Sequence, residues 1–112
     1  ETALMYINGR FSHAIRKGAL LPAGAPSTAG LFAPEEIVAR TPGADELAAA
    51  ERILRAAPFE RLVYARVDLL RDPRGAPGLL ELELTEPSLF LAHAPGSAER
   101  FAAALLASLE GR

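Results

Sequence analysis

Three carboxylates and a guanidinium stand at spacings that a β-hairpin can bring together. Along Leu62 to Leu69, alternation puts Tyr64, Arg66 and Asp68 on one side of a strand and Val63, Ala65, Val67 and Leu69 on the other. Along Leu79 to Leu84, the leucines Leu80, Leu82 and Leu84 share a side, so Glu81 and Glu83 face away from them. A register with Leu70 opposite Leu79 sets Asp68 across from Glu81 and Arg66 across from Glu83. Like charges facing each other across a ladder are destabilising, so Asp68, Glu81 and Glu83 together call for a cation. Hard oxygen ligands at that density suit Mg²⁺ or Mn²⁺, with water and phosphate oxygens completing the shell. A solvated sheet face with exposed carboxylates shows the same alternation, and both readings stand on the pattern alone. Arg66 has a simple role open to it as well, pairing with Glu83 or Glu81.

The elements that must position these groups are readable from turn chemistry and periodicity. Thr2 to Ile7 is apolar and β-prone, and Asn8-Gly9 supplies the two positive-φ residues of a type I′ turn. The returning strand, Arg10 to Lys17, alternates Phe11, His13 and Ile15 against Arg10, Ser12, Ala14 and Arg16. Residues 18–34 shift to Ala, Gly, Pro and Ser and read as a long flexible loop. Glu35 to Arg40 reads as a short edge strand. Ala44 to Ala57 reads as a helix, with Leu47, Ala50, Leu54 and Ala57 in one stripe, Asp45 and Glu46 in its first turn, and Pro58 at its end. The turn formers from Asp72 to Gly78 join the two carboxylate strands into a second hairpin. Ser97 reads as the N-cap of a helix from Ala98 to about Glu110, striped by Phe101, Ala102, Leu105, Leu106 and Leu109. The sum is an α+β unit: an antiparallel sheet built from two β-hairpins, with two helices packed on the face of Val63, Val67, Leu80, Leu82 and Leu84.

Composition narrows the class. At 112 residues the chain has room for one core, and with half its residues hydrophobic it has the material to fill one. Twelve basic against fourteen acidic residues, scattered along the chain, argue against nucleic acid and anionic membrane surfaces as partners. Its apolar runs are too short and too interrupted to span a bilayer. With no cysteine there is neither a thiolate metal site nor a cysteine nucleophile, and the cytoplasm is the default compartment. His13 and His93 lack spaced metal partners and read as structural or surface residues.

Arg66-Val67-Asp68-Leu69-Leu70, a turn, and Leu79-Leu80-Glu81-Leu82-Glu83-Leu84-Thr85-Glu86-Pro87 resemble the last two core strands of ATP-grasp enzymes of the glutathione synthetase-like branch. Those strands carry an Asp, then a Glu-x-Asn or Glu-x-Glu pair, with a Pro shortly after. The resemblance implies that Asp68 and Glu81 are metal carboxylates. Glu83 stands where many members have Asn, which keeps an oxygen ligand and adds a charge. Ser88 and the residues after it look like the segment that lines the acceptor pocket, so Ser88 is an expected substrate contact; Arg66 is a second candidate, beside its simpler role of pairing with Glu83 or Glu81. The hairpin Leu4 to Lys17 is similar to one whose second strand ends in a basic residue near the transferred phosphate. Arg16 is the first candidate for that catalytic cation, with Lys17 beside it as a nucleotide contact; the alternative for Arg16 is an exposed hairpin charge.

What this resemblance implies is a carboxy-terminal portion of an ATP-grasp domain, residues 1–112, belonging to a longer enzyme. Such ligases phosphorylate a carboxylate with ATP and let an amine displace the phosphate. ATP and Mg²⁺ (or Mn²⁺) are then the cofactors, and small carboxylate and amine substrates and the rest of the ATP-grasp chain are the partners. No general base is required; metal-holding carboxylates and cations act by electrostatics and positioning. No glycine-rich phosphate loop, nucleotide-clamping lysine or adenine-binding segment is found in 1–112, so the isolated chain is expected to be inactive. The 18–34 segment lacks the Arg, Asn and Gly-Gly elements many relatives place around substrate, which leaves the substrate class open. A domain opened within its sheet exposes an edge that favours a homodimer. From a different class, a non-catalytic α+β interaction module with decorative carboxylates is the competing reading.

Overall fold

A computed structural model describes residues 1–19, 35–85 and 87–110; the loop expected over 18–34 falls, from residue 20 onward, outside the described residues. Five strands, β1 (Thr2–Ile7), β2 (Arg10–Ala19), β3 (Glu35–Arg40), β4 (Tyr64–Arg71) and β5 (Pro77–Glu83), form one antiparallel sheet in the order β3-β2-β1-β4-β5. Among the described residues the helices are α1 (Ala44–Ala56) and α2 (Ser97–Glu110), and a short 3₁₀ turn covers Leu91–His93.

The local signals explain most of this. Asn8 and Gly9 take φ of 52° and 78°, the two left-handed residues a type I′ turn needs, and β1 and β2 close around them. Gly43 opens α1 with its N–H donating to Glu46 Oε1 at 2.9 Å, and Glu46 also takes Arg40 Nη2 at 2.9 Å. Arg71 reaches from β4 to Asp45 at 2.7 Å, tying the start of α1 to the sheet. The β4–β5 ladder has the expected partners, Arg66 with Glu83 and Asp68 with Glu81. Nearer the turn a bulge intervenes, so that Leu69 rather than Leu70 pairs with Leu79.

One face of the sheet makes the main core. Leu4, Tyr6, Ala14, Ala65, Val67 and Leu69 pack against Ala49 and Ala50 of α1, with Leu47, Ile53, Leu54, Leu82 and Leu84 around them. The second helix is arranged differently from the one-face packing that the sequence suggests. Phe101 meets Tyr64 edge-on at 5.7 Å, and Tyr64 shares its strand face with Arg66 and Asp68, the side away from α1. Within α2 only Ser97 and Ala104 are buried, and Leu105, Leu106 and Leu109 of the expected stripe are exposed. Leu80 is exposed too, at the bulge. Ser97 does not cap: its hydroxyl donates to the carbonyls of Leu91 and Ala94, and the helix begins on Ser97 itself.

Candidate active site

On the sheet face opposite α1, Ala3, Met5 and Ile15 form a second, smaller core covered by Leu89 and Phe90. That face holds the charged residues. Asp68, with no exposed surface, receives Arg66 in bidentate fashion, Nε to Oδ1 at 2.9 Å and Nη2 to Oδ2 at 3.0 Å. Lys17 Nζ lies 3.3 Å from Asp68 Oδ2 and 3.3 Å from Glu1 Oε2. Arg66 also reaches the Ser88 carbonyl at 3.2 Å and stands 3.6 Å from Glu81 Oε2. The Phe90 ring sits beside both cations, 5.7 Å from Lys17 Nζ and 5.8 Å from the Arg66 guanidinium carbon.

Asp68, Glu81 and Glu83 therefore project onto one surface, but in unequal settings. Asp68 is buried with both oxygens engaged by cations, whereas Glu81 has about half its side chain exposed, 51%. The carboxyl of Glu81 titrates above the ordinary glutamate range: loss of water against the sheet pushes it up first, then Glu83 and the charge of Asp68, with Arg66 pulling the other way. Among the described residues, no three His, Cys, Asp or Glu side chains form a ready metal cluster. The donor set nonetheless fits a hard cation at Glu81 and Glu83, the adjacent acidic pair whose mutual repulsion a cation would relieve.

The two basic residues that end the first hairpin exchange places relative to expectation. Arg16 pairs in register with Thr2, and Thr2 with Leu69, which puts Arg16 on the α1 side, exposed and across the sheet from Asp68. Lys17 is the one that faces the carboxylates. The alternation of β2 carried that information, because Lys17 continues the His13 and Ile15 row. Ser88 contributes its carbonyl, through Arg66, and its side chain is exposed. His13, which reads from the sequence as a structural or surface residue, is buried, with Nε2 2.7 Å from the Leu89 carbonyl.

Comparison with known proteins bears on the fold and the family. No protein-family model matches the chain. Cycloserine biosynthesis protein DcsG of Streptomyces lavendulae is 40% identical over 116 residues, covering 98% of this chain and 38% of that protein. The crystal structure of D-cycloserine synthetase DcsG superposes with a TM-score of 0.80 at 38% identity, over 96% of this chain and 37% of that one. The chain belongs to the ATP-grasp superfamily. Its five-stranded sheet and two helices make up part of an ATP-grasp domain, and it spans about 38% of the length of the curated relative it matches. A weaker likeness, TM-score 0.49 at 18% identity, to D-alanine–D-alanine ligase from Bacillus anthracis is too low to bear on the assignment. No helix among the described residues of this ATP-grasp unit is long and apolar enough to cross a membrane.

Proposed function

We propose that this unit is the metal- and phosphate-facing part of an ATP-dependent carboxylate-amine ligase of the glutathione synthetase-like branch that works through an acylphosphate. The observation that carries the reading is the gathering of Lys17, Arg66, Asp68, Glu81 and Glu83 on one sheet face in a homologue of D-cycloserine synthetase. In such a reaction the terminal phosphoryl group of ATP passes to a carboxylate oxygen, and an amine then attacks the carbonyl carbon and expels phosphate. Negative charge collects on phosphoryl oxygens in the first step and on the departing phosphate in the second. Lys17 and Arg66 are the cations this chain offers to that charge, and Asp68 between them fixes the direction of both. Glu81 and Glu83 would hold Mg²⁺ or Mn²⁺, with Asp68 joining where Lys17 turns its ammonium from Asp68 to a phosphate. When bound, the metal neutralises phosphate charge. Arg16, on the other face, serves no part of this. Ser88 and Arg66 border the acceptor side, and the remainder of the ATP-grasp domain supplies the nucleotide cleft, so the isolated unit is inactive. The compartment that suits this chemistry is the cytoplasm.

The test uses the longest polypeptide that carries this unit, supplied with ATP, Mg²⁺ and a panel of amino-acid carboxylates in the presence of hydroxylamine. ADP release matched by hydroxamate supports the acylphosphate route. ADP release with inorganic phosphate and no trapped acyl group, across the panel, refutes it. D-cycloserine, named for the relative, is the first product to seek.

A further inference from the structure

A chain of four groups runs across the second face without touching the cations. Arg100 of α2 donates from Nε and Nη2 to Ser12 Oγ at 3.2 and 3.0 Å. Ser12 Oγ lies 2.7 Å from His13 Nδ1, and His13 Nε2 lies 2.7 Å from the Leu89 carbonyl oxygen. A carbonyl only accepts, so the ring proton is on Nε2, and Nδ1 accepts from the Ser12 hydroxyl. Burial, ahead of the nearby Arg100 charge, lowers the His13 pKa against the raising effect of the Leu89 carbonyl, which keeps the ring in this neutral form.

What the chain ends on matters more than its length. Ser88 and Leu89 present successive carbonyls, the first held by Arg66 and the second by His13. The next residue, Phe90, has a φ of 52°, a left-handed backbone that a bulky side chain adopts only when its surroundings enforce it. That backbone delivers the Phe90 ring to its position beside Lys17 and Arg66.

We propose that His13 is a positioning residue: through the Leu89 carbonyl it holds Phe90 in its left-handed conformation and so fixes where Lys17 and Arg66 present their charges. The functional part of this proposal rests on the ligase reading; the structural part does not. His13→Leu keeps the bulk and removes the donor, and His13→Gln restores a donor of similar reach.

In the full-length polypeptide, His13→Leu is expected to lower kcat roughly ten- to hundredfold with KM for ATP within about twofold, and His13→Gln to recover most of the loss. Hydrogen exchange, which needs no activity, is expected to show faster exchange over residues 90–94 in His13→Leu and wild-type protection in His13→Gln, with residues 64–69 unchanged in both. Unaltered exchange and kcat in His13→Leu overturn the proposal. So does equal damage in both variants accompanied by lost protection across 64–69, which marks His13 as general packing. A wild type that forms no acylphosphate while the exchange pattern appears as described sinks the ligase reading and the kinetic part of the proposal, and leaves its structural part standing.

Discussion

Arg66 grips both carboxylate oxygens of Asp68, at 2.9 and 3.0 Å, in a setting where Asp68 has no exposed surface. The pair makes the neighbouring carboxylates behave differently from one another. On alternation alone, Asp68 belongs to a repulsive acidic cluster whose neutralisation would relieve strain. The bidentate contact reverses that for Asp68, since removing one partner of a buried ion pair leaves the other uncompensated.

Asp68→Asn is therefore expected to destabilise the fold by about 2 kcal/mol, read from urea denaturation. Glu81→Gln is expected to leave the denaturation midpoint where it is or raise it slightly, because Glu81 is half exposed and crowded by Glu83. In the full-length polypeptide Glu81→Gln should still lower turnover by about a hundredfold or more. Undiminished turnover would favour the interaction-module reading.

Acid should act on the carboxylates in opposite directions. Burial alone would raise Glu46, but hydrogen bonds from Gly43, Arg40 and Thr2 together hold it below the ordinary glutamate range. Its contribution to stability is present above the unfolded pKa of about 4.5 and is lost as pH falls through the lower folded value. Glu81 is raised, so its charge opposes folding at neutral pH, and that penalty disappears as pH drops through its folded value to the unfolded one. Glu46→Ala should cost about 1–3 kcal/mol at pH 7, with the deficit shrinking in thermal unfolding below pH 4.

Tyr6 is buried, its hydroxyl has no hydrogen-bond partner among the described residues, and loss of water, with the charge of Glu51, pushes its pKa up to about 12. Tyr6→Phe is expected to be neutral or to stabilise by up to about 1 kcal/mol in chemical denaturation, since it removes an unmet polar group and keeps the ring against Phe11. A loss above that size would reveal a partner for the hydroxyl.

Gly9→Ala should cost about 1–2 kcal/mol in the same measurement, because Gly9 holds a φ of 78° in the turn that sets the register of β1 and β2.

The sequence made the hairpins legible where side-chain alternation and turn chemistry agree: Asn8-Gly9 and the pairing of Asp68 with Glu81 needed no knowledge of distant contacts. The bulge near Leu80 left no local signal. Lys17 is readable in the β2 alternation, whereas likeness to a hairpin ending in a basic residue points to Arg16. The burial of Asp68 could not be read, because what covers that face is Leu89 and Phe90, some twenty residues away and held there by His13 from β2. The exposure of Leu105, Leu106 and Leu109 was hidden for a related reason: periodicity shows that a helix has an apolar stripe, and says nothing of what meets it.

The place of β1 in the sheet sets an order on synthesis. It is the middle strand, buried along its whole length, and its two neighbours are β2 and β4. The β2 side closes through a two-residue turn, but Thr2 must wait for Leu69 and Ile7 for Tyr64. A nascent chain leaving the ribosome thus carries an apolar strand with one unpaired edge until β4 follows it out, an interval in which chaperones or another emerging copy compete for that edge.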